Sequence, residues 1–481
     1  MLYVSTRGYD KKFTSAEAIK QGLAPDGGLF MPEYIPSLSE EELKALAPLP
    51  YADRAARILS LYLTDYDKEE LLKDCREAYC EGSFPGGAAP AVKLCDGKYI
   101  LELFHGPTCA FKDMALQIMP RLLSSALKMT GEEKTAYILV ATSGDTGKAA
   151  LEGYRDVDGV CIKVFYPTGG VSEIQKLQMA TQEGNNVSVQ AIVGNFDDAQ
   201  TGVKRIFSDP EAVRELYERG YILTSANSIN WGRLAPQIVY YISAYLDLWQ
   251  AGEIEFGERL DVCVPTGNFG NIFACYMAKR MGLPVGKLIC ASNKNNVLTD
   301  FLQSGVYDRN REFYKTASPS MDILISSNVE RLLYTLCGAE KTKEYMKMLN
   351  ASGRYALDEA ELSLVREAFE GSYAAEEDTA STIRGVYEGY GYLSDTHTAV
   401  ALFSALKKEG KVLTVSTASP YKFAQDVLAS IGGKAGDGLF DPLDALYEMT
   451  SVPVPEPLAA LKGKRVRFEG AILPEEMRNS L

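Results

Sequence analysis

The stretch His105-Gly106-Pro107-Thr108-Cys109-Ala110-Phe111-Lys112-Asp113 sets one lysine between an aromatic ring and a carboxylate, just past a Gly-Pro turn. An amine held in a tight, partly apolar turn is poorly solvated in its charged form, so its pKa falls. Once neutral, it can attack an aldehyde carbon. A Phe-Lys-Asp triplet also describes an ordinary solvated surface lysine, and Lys112 by itself leaves both readings open.

Two small-residue loops add to the chemistry. Thr266-Gly267-Asn268-Phe269-Gly270-Asn271 follows the apolar run Leu260–Val264 and precedes a helical pattern reaching Met281. Glycines let backbone N–H groups close around an anion, and a helix N-terminus adds positive potential. Phosphate is the natural guest, although a tight turn asks for the same small residues. The second loop, Thr142-Ser143-Gly144-Asp145-Thr146-Gly147, precedes Lys148 and so invites comparison with a nucleotide-phosphate loop. Thr142 stands where that motif needs its first glycine, and Ala149 where it needs a magnesium-binding hydroxyl. Its amides and hydroxyls suit a substrate carboxylate instead. Asp145 is then either part of the site or a solvent-facing helix cap.

The elements that must position these loops alternate between strand and helix from about residue 98 onward. Tyr137–Ala141, Val160–Phe165, Leu260–Val264 and Val412–Val415 each read as a short buried strand ending in a Gly, Ser or Thr loop. That pattern predicts an α/β fold with mostly parallel sheets, whose ligands sit at the carboxyl ends of the strands. Residues 1–95 read as a mainly helical N-terminal domain, with Thr14 and Glu17 spaced for a capping box. Residues 96–335 form the α/β core, 336–380 a charged helical insertion, and 381–481 the remainder of the core with the C-terminal segment.

Composition narrows the function. The chain has 481 residues, 46% of them hydrophobic, and a formal net charge of −14. This charge repels nucleic acid and anionic membranes, so neither is an expected partner. Apolar runs are too short to span a bilayer. The first residues lack the charged-then-apolar pattern of a leader, which predicts a cytoplasmic protein. Nine cysteines include no Cys-x-x-Cys pair and are expected as reduced core residues. Two histidines, His105 and His397, are too few for a multi-histidine metal site, and no metal is expected.

Taken together, these segments resemble the threonine synthase family, in the long form found in many bacteria and in fungi. These enzymes belong to the fold type II group that uses pyridoxal 5'-phosphate (PLP). The resemblance runs nearly end to end, through Tyr3–Gly8, Gly22–Leu29, His105–Asp113, Ala141–Gly147 and Val171–Gln175. It continues through Asn227–Trp231 with Arg233, Pro265–Asn271, Ser318–Ile323 and His397–Val400.

The resemblance implies two open, twisted, mostly parallel sheets with flanking helices, beside the helical N-terminal region and the insertion. It implies that Lys112 holds PLP covalently and that Gly267, Asn268, Phe269, Gly270 and Asn271 receive its phosphate. Thr417 would face the pyridine nitrogen, or else merely cap a strand end. Asp145 falls where related enzymes carry an asparagine near the cofactor. The implied reaction turns O-phospho-L-homoserine and water into L-threonine and phosphate. Alternatives are a phospholyase giving a 2-oxo acid and ammonia, and a catalytically silent PLP-binding regulator.

Substrate contacts are expected among Thr142, Ser143, Gly144, Thr146, Asn227, Asn230, Arg233, Ser318 and Ser320, with Lys176 a further candidate. Arg233 could equally sit in a structural ion pair, and both histidines read as structural. Related sequences often have histidine before the proline of the last strand-end segment, where this chain has Ser419. The expected assembly is a monomer or a homodimer.

Overall fold

The computed structural model describes residues 1–142, 144–169 and 171–481. Ser143, one of the expected substrate contacts, lies outside the described residues. Two sheets carry the architecture. One has five parallel strands in the order Ala471–Ile472, Val187–Ile192, Val160–Pro167, Thr135–Ala141 and Tyr221–Thr224. The other has six, ordered Phe369–Tyr373, Val285–Ser292, Leu260–Pro265, Val412–Ser416, Lys98–Glu102 and Ala91–Cys95. Only the last of these is antiparallel to its neighbour. Ile138, Leu139, Val140, Val262, Cys263 and Val264 are all buried. Their strands read as continuous apolar runs because helices cover both faces.

The helix Trp231–Gln250 is apolar nearly all round and packs against the helices Tyr51–Ser60 and Gly270–Arg280. A helix without a polar face belongs in the interior, and this one reaches the phosphate-type loop. The N-terminal region is fastened beside it. Arg331, fully buried, donates from Nε to Phe30 O at 3.2 Å and from Nη2 to Ile229 O at 2.6 Å. Arg7 forks onto Glu330 at 2.9 and 2.8 Å. The capping box of Thr14 and Glu17 opens the helix Ser15–Gln21.

Three expectations need correction. The stretch 336–380 is not a purely helical insertion, because Phe369–Tyr373 pairs in parallel with Val285–Ser292 as an edge strand of the larger sheet. A boundary at residue 95 would cut Ala91–Cys95 away from the sheet it completes. Cys80 is exposed rather than part of the core. Among the described residues, no helix is long and apolar enough to cross a membrane.

Candidate active site

The Lys112 turn is held by backbone pairing with a distant segment. Phe111 N–H donates to Thr417 O at 2.8 Å and Ser419 N–H to Cys109 O at 3.0 Å, with a bridge between Ala110 and Ala418. Thr417 is therefore fixed beside Lys112 by main chain on both sides, its own N–H donating to Thr398 Oγ1 at 3.3 Å. Asp113 lies buried under the turn. It accepts from Thr108 Oγ1 at 2.7 Å and Thr108 N–H at 2.8 Å, and burial pushes its carboxyl up to about 6. It closes the turn.

Only 11% of the Lys112 side chain is exposed, and its Nζ stands 3.7 Å from Asp145 Oδ2. Burial lowers the Lys112 pKa; Lys422 and Arg233 push the same way, and Asp145 opposes them. Asp145 is not a solvent-facing cap. It is buried and receives Lys422 Nζ at 2.7 Å and Gln175 Nε2 at 2.9 Å on Oδ1, and Ser320 Oγ at 3.3 Å on Oδ2. Burial alone would raise its pKa, but the two lysines hold it below the usual carboxylate range. Gly144, at φ +142°, supplies the backbone that admits Gln175, whose side chain lies 2.5 Å from where a Cβ would stand.

The loop 267–271 has its carbonyls tied back. Gly267 O accepts from Ser326 Oγ at 2.8 Å, and Asn268 O accepts from Asn328 N–H at 3.1 Å and Nδ2 at 2.9 Å. In a trans peptide the N–H points opposite to its C=O. The amides of Asn268 and Phe269 therefore turn to the other side, where the first-turn N–H groups of the helix Gly270–Arg280 have no intrahelical acceptor. Phe269 takes the left-handed φ of 62° that this needs, its buried ring packed 5.5 Å from that of Phe369.

The helix Trp231–Gln250 presents Arg233, Gln237, Tyr240 and Tyr241 along one face, at the i, i+4, i+7 and i+8 spacing. Tyr240 and Tyr241 hydroxyls lie 2.7 and 2.5 Å from Asn271 Oδ1. Asn271 Nδ2 is buried with no partner among the described residues, and so is Arg233 Nε. Buried donors of this kind call for an acceptor. The Arg233 guanidinium has one hydrogen bond, Nη1 to Ala226 O at 2.6 Å, and no carboxylate pairs with it among the described residues. Burial pushes its pKa down to about 10. The expected alternative of a structural ion pair is thus absent there, and the donor set fits a phosphorylated cofactor and an anionic substrate. We expect Tyr241→Phe to weaken PLP binding about tenfold in an absorbance titration, because Asn271 Oδ1 then keeps only the Tyr240 hydroxyl, which Gln237 Oε1 shares at 3.0 Å.

Several expected substrate contacts are committed elsewhere. Thr142 Oγ1 accepts from Gly144 N–H at 3.0 Å and Gly147 N–H at 2.9 Å, so it holds its own loop. Thr142→Val would strand both amides and cost about 2 kcal/mol, read as a lower urea midpoint that Thr142→Ser largely restores. Asn230 caps the long helix through Gly232 N–H at 2.9 Å. Its Nδ2 group is spent on Ile19 O at 2.9 Å and Ser225 O at 3.3 Å. Ser318 is buried in a network with Asn293 and Thr316. Lys176 pairs with Glu173 at an exposed edge. His105 binds Glu102 at 2.8 Å. His397 lies between Asp395 and Ser320: Nδ1 is 2.8 Å from Asp395 Oδ2, and Nε2 accepts Ser320 N–H at 3.1 Å. Asn227 and Thr146 are half-buried.

Sequence reasoning passed over Lys422, Gln175, Tyr240 and Tyr241. For Lys422 a signal existed: Tyr421-Lys422-Phe423 repeats the aromatic flanking that drew attention to Lys112. Ser419 caps the short turn Pro420–Phe423 by accepting Tyr421 N–H at 3.3 Å, and that turn delivers Lys422.

Comparison with known proteins bears on the family and the overall fold. The family described as threonine synthase N terminus matches residues 2–79, and the family described as pyridoxal-phosphate dependent enzyme matches 90–417. Human threonine synthase-like 1 is 41% identical over 87% of this chain, which spans only 58% of that relative's length. Threonine synthase of Pseudomonas aeruginosa is 39% identical, with 92% of each chain covered. The crystal structure of PLP-bound threonine synthase from Brucella melitensis superposes with a TM-score of 0.89 at 37% identity, covering 100% of this chain and 98% of that one. This chain therefore belongs to the threonine synthase family of pyridoxal-phosphate dependent enzymes.

Proposed function

We propose that this protein is a threonine synthase, a carbon–oxygen lyase that turns O-phospho-L-homoserine and water into L-threonine and phosphate with PLP bound. The observation that carries the reading is a nearly buried lysine amine in a site whose buried donors Asn271 Nδ2 and Arg233 Nε have no acceptor among the described residues. Lys112 would hold the cofactor covalently, with its phosphate on the amides of 267–271 and on Asn271 Nδ2. Thr417, fixed beside Lys112, would give its hydroxyl to the ring nitrogen and leave it unprotonated. When bound, PLP supplies an electron sink for the charge left at the substrate's Cα.

The chain's own residues do the rest. Lys112 Nζ would serve as the base that takes the Cα proton. The Cβ proton would pass to Cγ as the γ-phosphate leaves, water would give its hydroxyl to Cβ and its remaining proton to the released phosphate, and the Lys112 ammonium would return the proton to Cα. Arg233 and Asn227 would receive the substrate phosphate, since a guanidinium offers paired donors to a dianion. Ser320 lies against Asp145 and offers a further polar contact.

The test is incubation of the purified protein with PLP and O-phospho-L-homoserine, scoring threonine, phosphate and 2-oxobutyrate together. Threonine matching the phosphate released is the expected result. Phosphate matched by 2-oxobutyrate would make the protein a phospholyase, and release of neither would make it a silent binder.

A further inference from the structure

We propose that Lys422 is a positioning residue that keeps Asp145 charge-balanced, so that the Lys112 amine faces a neutral ion pair rather than a carboxylate of its own. The proposal rests on the reading of Lys112 as the reactive amine. It comes from the unequal distances at one carboxylate: Lys422 Nζ is in contact with Asp145 at 2.7 Å, whereas Lys112 Nζ stands off at 3.7 Å.

Lys422 is built to stay there. Its side chain has no exposed surface, and its ammonium also donates to Thr108 O at 3.0 Å, inside the turn that carries Lys112. Asp145 is its only ionic partner among the described residues. Asp145 is itself held in place by Gln175 and Ser320. The charged groups facing Lys112 are Asp145, Lys422 and Arg233. Beyond Lys422 lies Asp113, which Thr108 engages, and Lys148 is already paired with Glu152 at 3.0 Å.

Two ammonium groups sharing one buried carboxylate repel each other. Lys112, which lacks the close contact, is left with the poorly compensated positive charge. The low pKa of Lys112, set by burial and by its cationic neighbours, agrees with this. The Asp145–Lys422 pair would thus leave a neutral amine ready both to take up an aldehyde and to accept a proton.

The test reads the titration of Lys112 directly. The full-length chain, without PLP, is labelled with trace acetic anhydride across a pH series, and acetylation at Lys112 is followed by mass spectrometry. Lys422→Met leaves Lys112 facing a net negative carboxylate, and its labelling at a fixed pH below the midpoint should fall about tenfold. Asp145→Asn leaves it facing a net positive lysine and should raise labelling. The double variant Asp145→Asn/Lys422→Met again presents a neutral pair and should titrate close to wild type, as should Lys422→Arg. An unchanged midpoint in Lys422→Met overturns the proposal. Should that variant not fold, the double variant decides, and its titrating together with Asp145→Asn overturns the proposal equally. Protection of Lys112 by added PLP is scored in parallel. Its absence in the wild type would count against the covalent role of Lys112, while the order of midpoints still judges Lys422.

Discussion

Replacing Lys112 with alanine is expected to lower threonine formation by about 10³-fold or more, with the fold intact. The size follows from the loss of both roles assigned to one amine: covalent attachment of the cofactor and removal of the Cα proton. The intact fold follows from Asp145, which keeps Lys422, Gln175 and Ser320 when Lys112 is removed. No buried carboxylate is left bare, so the usual penalty for breaking a buried ion pair does not arise. Borohydride treatment followed by peptide mass spectrometry checks the assignment. The wild type should carry phosphopyridoxyl on the peptide containing Lys112, and the variant should carry none there. PLP should still bind reversibly, because the amide cradle and Asn271 are untouched. Normal turnover by the variant would remove Lys112 from the mechanism.

Arg233→Met should raise KM for O-phospho-L-homoserine about 100-fold, the worth of a lost charge-assisted pair of roughly 3 kcal/mol. The same change should leave the urea midpoint equal to or higher than wild type. These two results together are what separate a ligand-binding arginine from a structural one. Among the described residues, Arg233 is buried with a single hydrogen bond, to Ala226 O, and with Nε unpartnered. The protein alone does not offset the cost of desolvating that charge, so an apolar side chain of similar length relieves it. Arg233→Lys keeps the charge but not the fork and should fall between the two. An unchanged KM with a lowered urea midpoint would return Arg233 to a purely structural role. PLP affinity should move by less than about threefold, since the phosphate-type cradle is built from 267–271.

Much of this site was legible because its parts are local. Gly267–Asn271 announces itself as a strand-to-helix loop, and the anion cradle proposed for it needs only a backbone conformation that the small residues permit. Lys112 is marked by its own neighbours. The strands Thr135–Ala141, Val160–Pro167, Leu260–Pro265 and Val412–Ser416 are runs of apolar residues that only a covered parallel sheet explains. Phe369–Tyr373 was not legible, because Phe-Glu-Gly-Ser-Tyr is short, polar and interrupted by glycine. It is a strand through its pairing with Val285–Ser292. Gly371 is needed there since a Cβ would stand 2.8 Å from Thr299 O.

The sequence singled out Lys112, the small-residue loop 266–271 and the alternating architecture, since each is marked by residues adjacent along the chain. The tertiary structure decided how charge is distributed among those parts. Pairing of 109–111 with 417–419 brings Thr417 and Lys422 to the Lys112 turn. The helix Trp231–Gln250 turns two tyrosines onto Asn271 and leaves Arg233 without a carboxylate among the described residues. Ionisation and the orientation of a side-chain amide depend on neighbours within a few ångströms. In this chain those neighbours come from segments that only folding brings together.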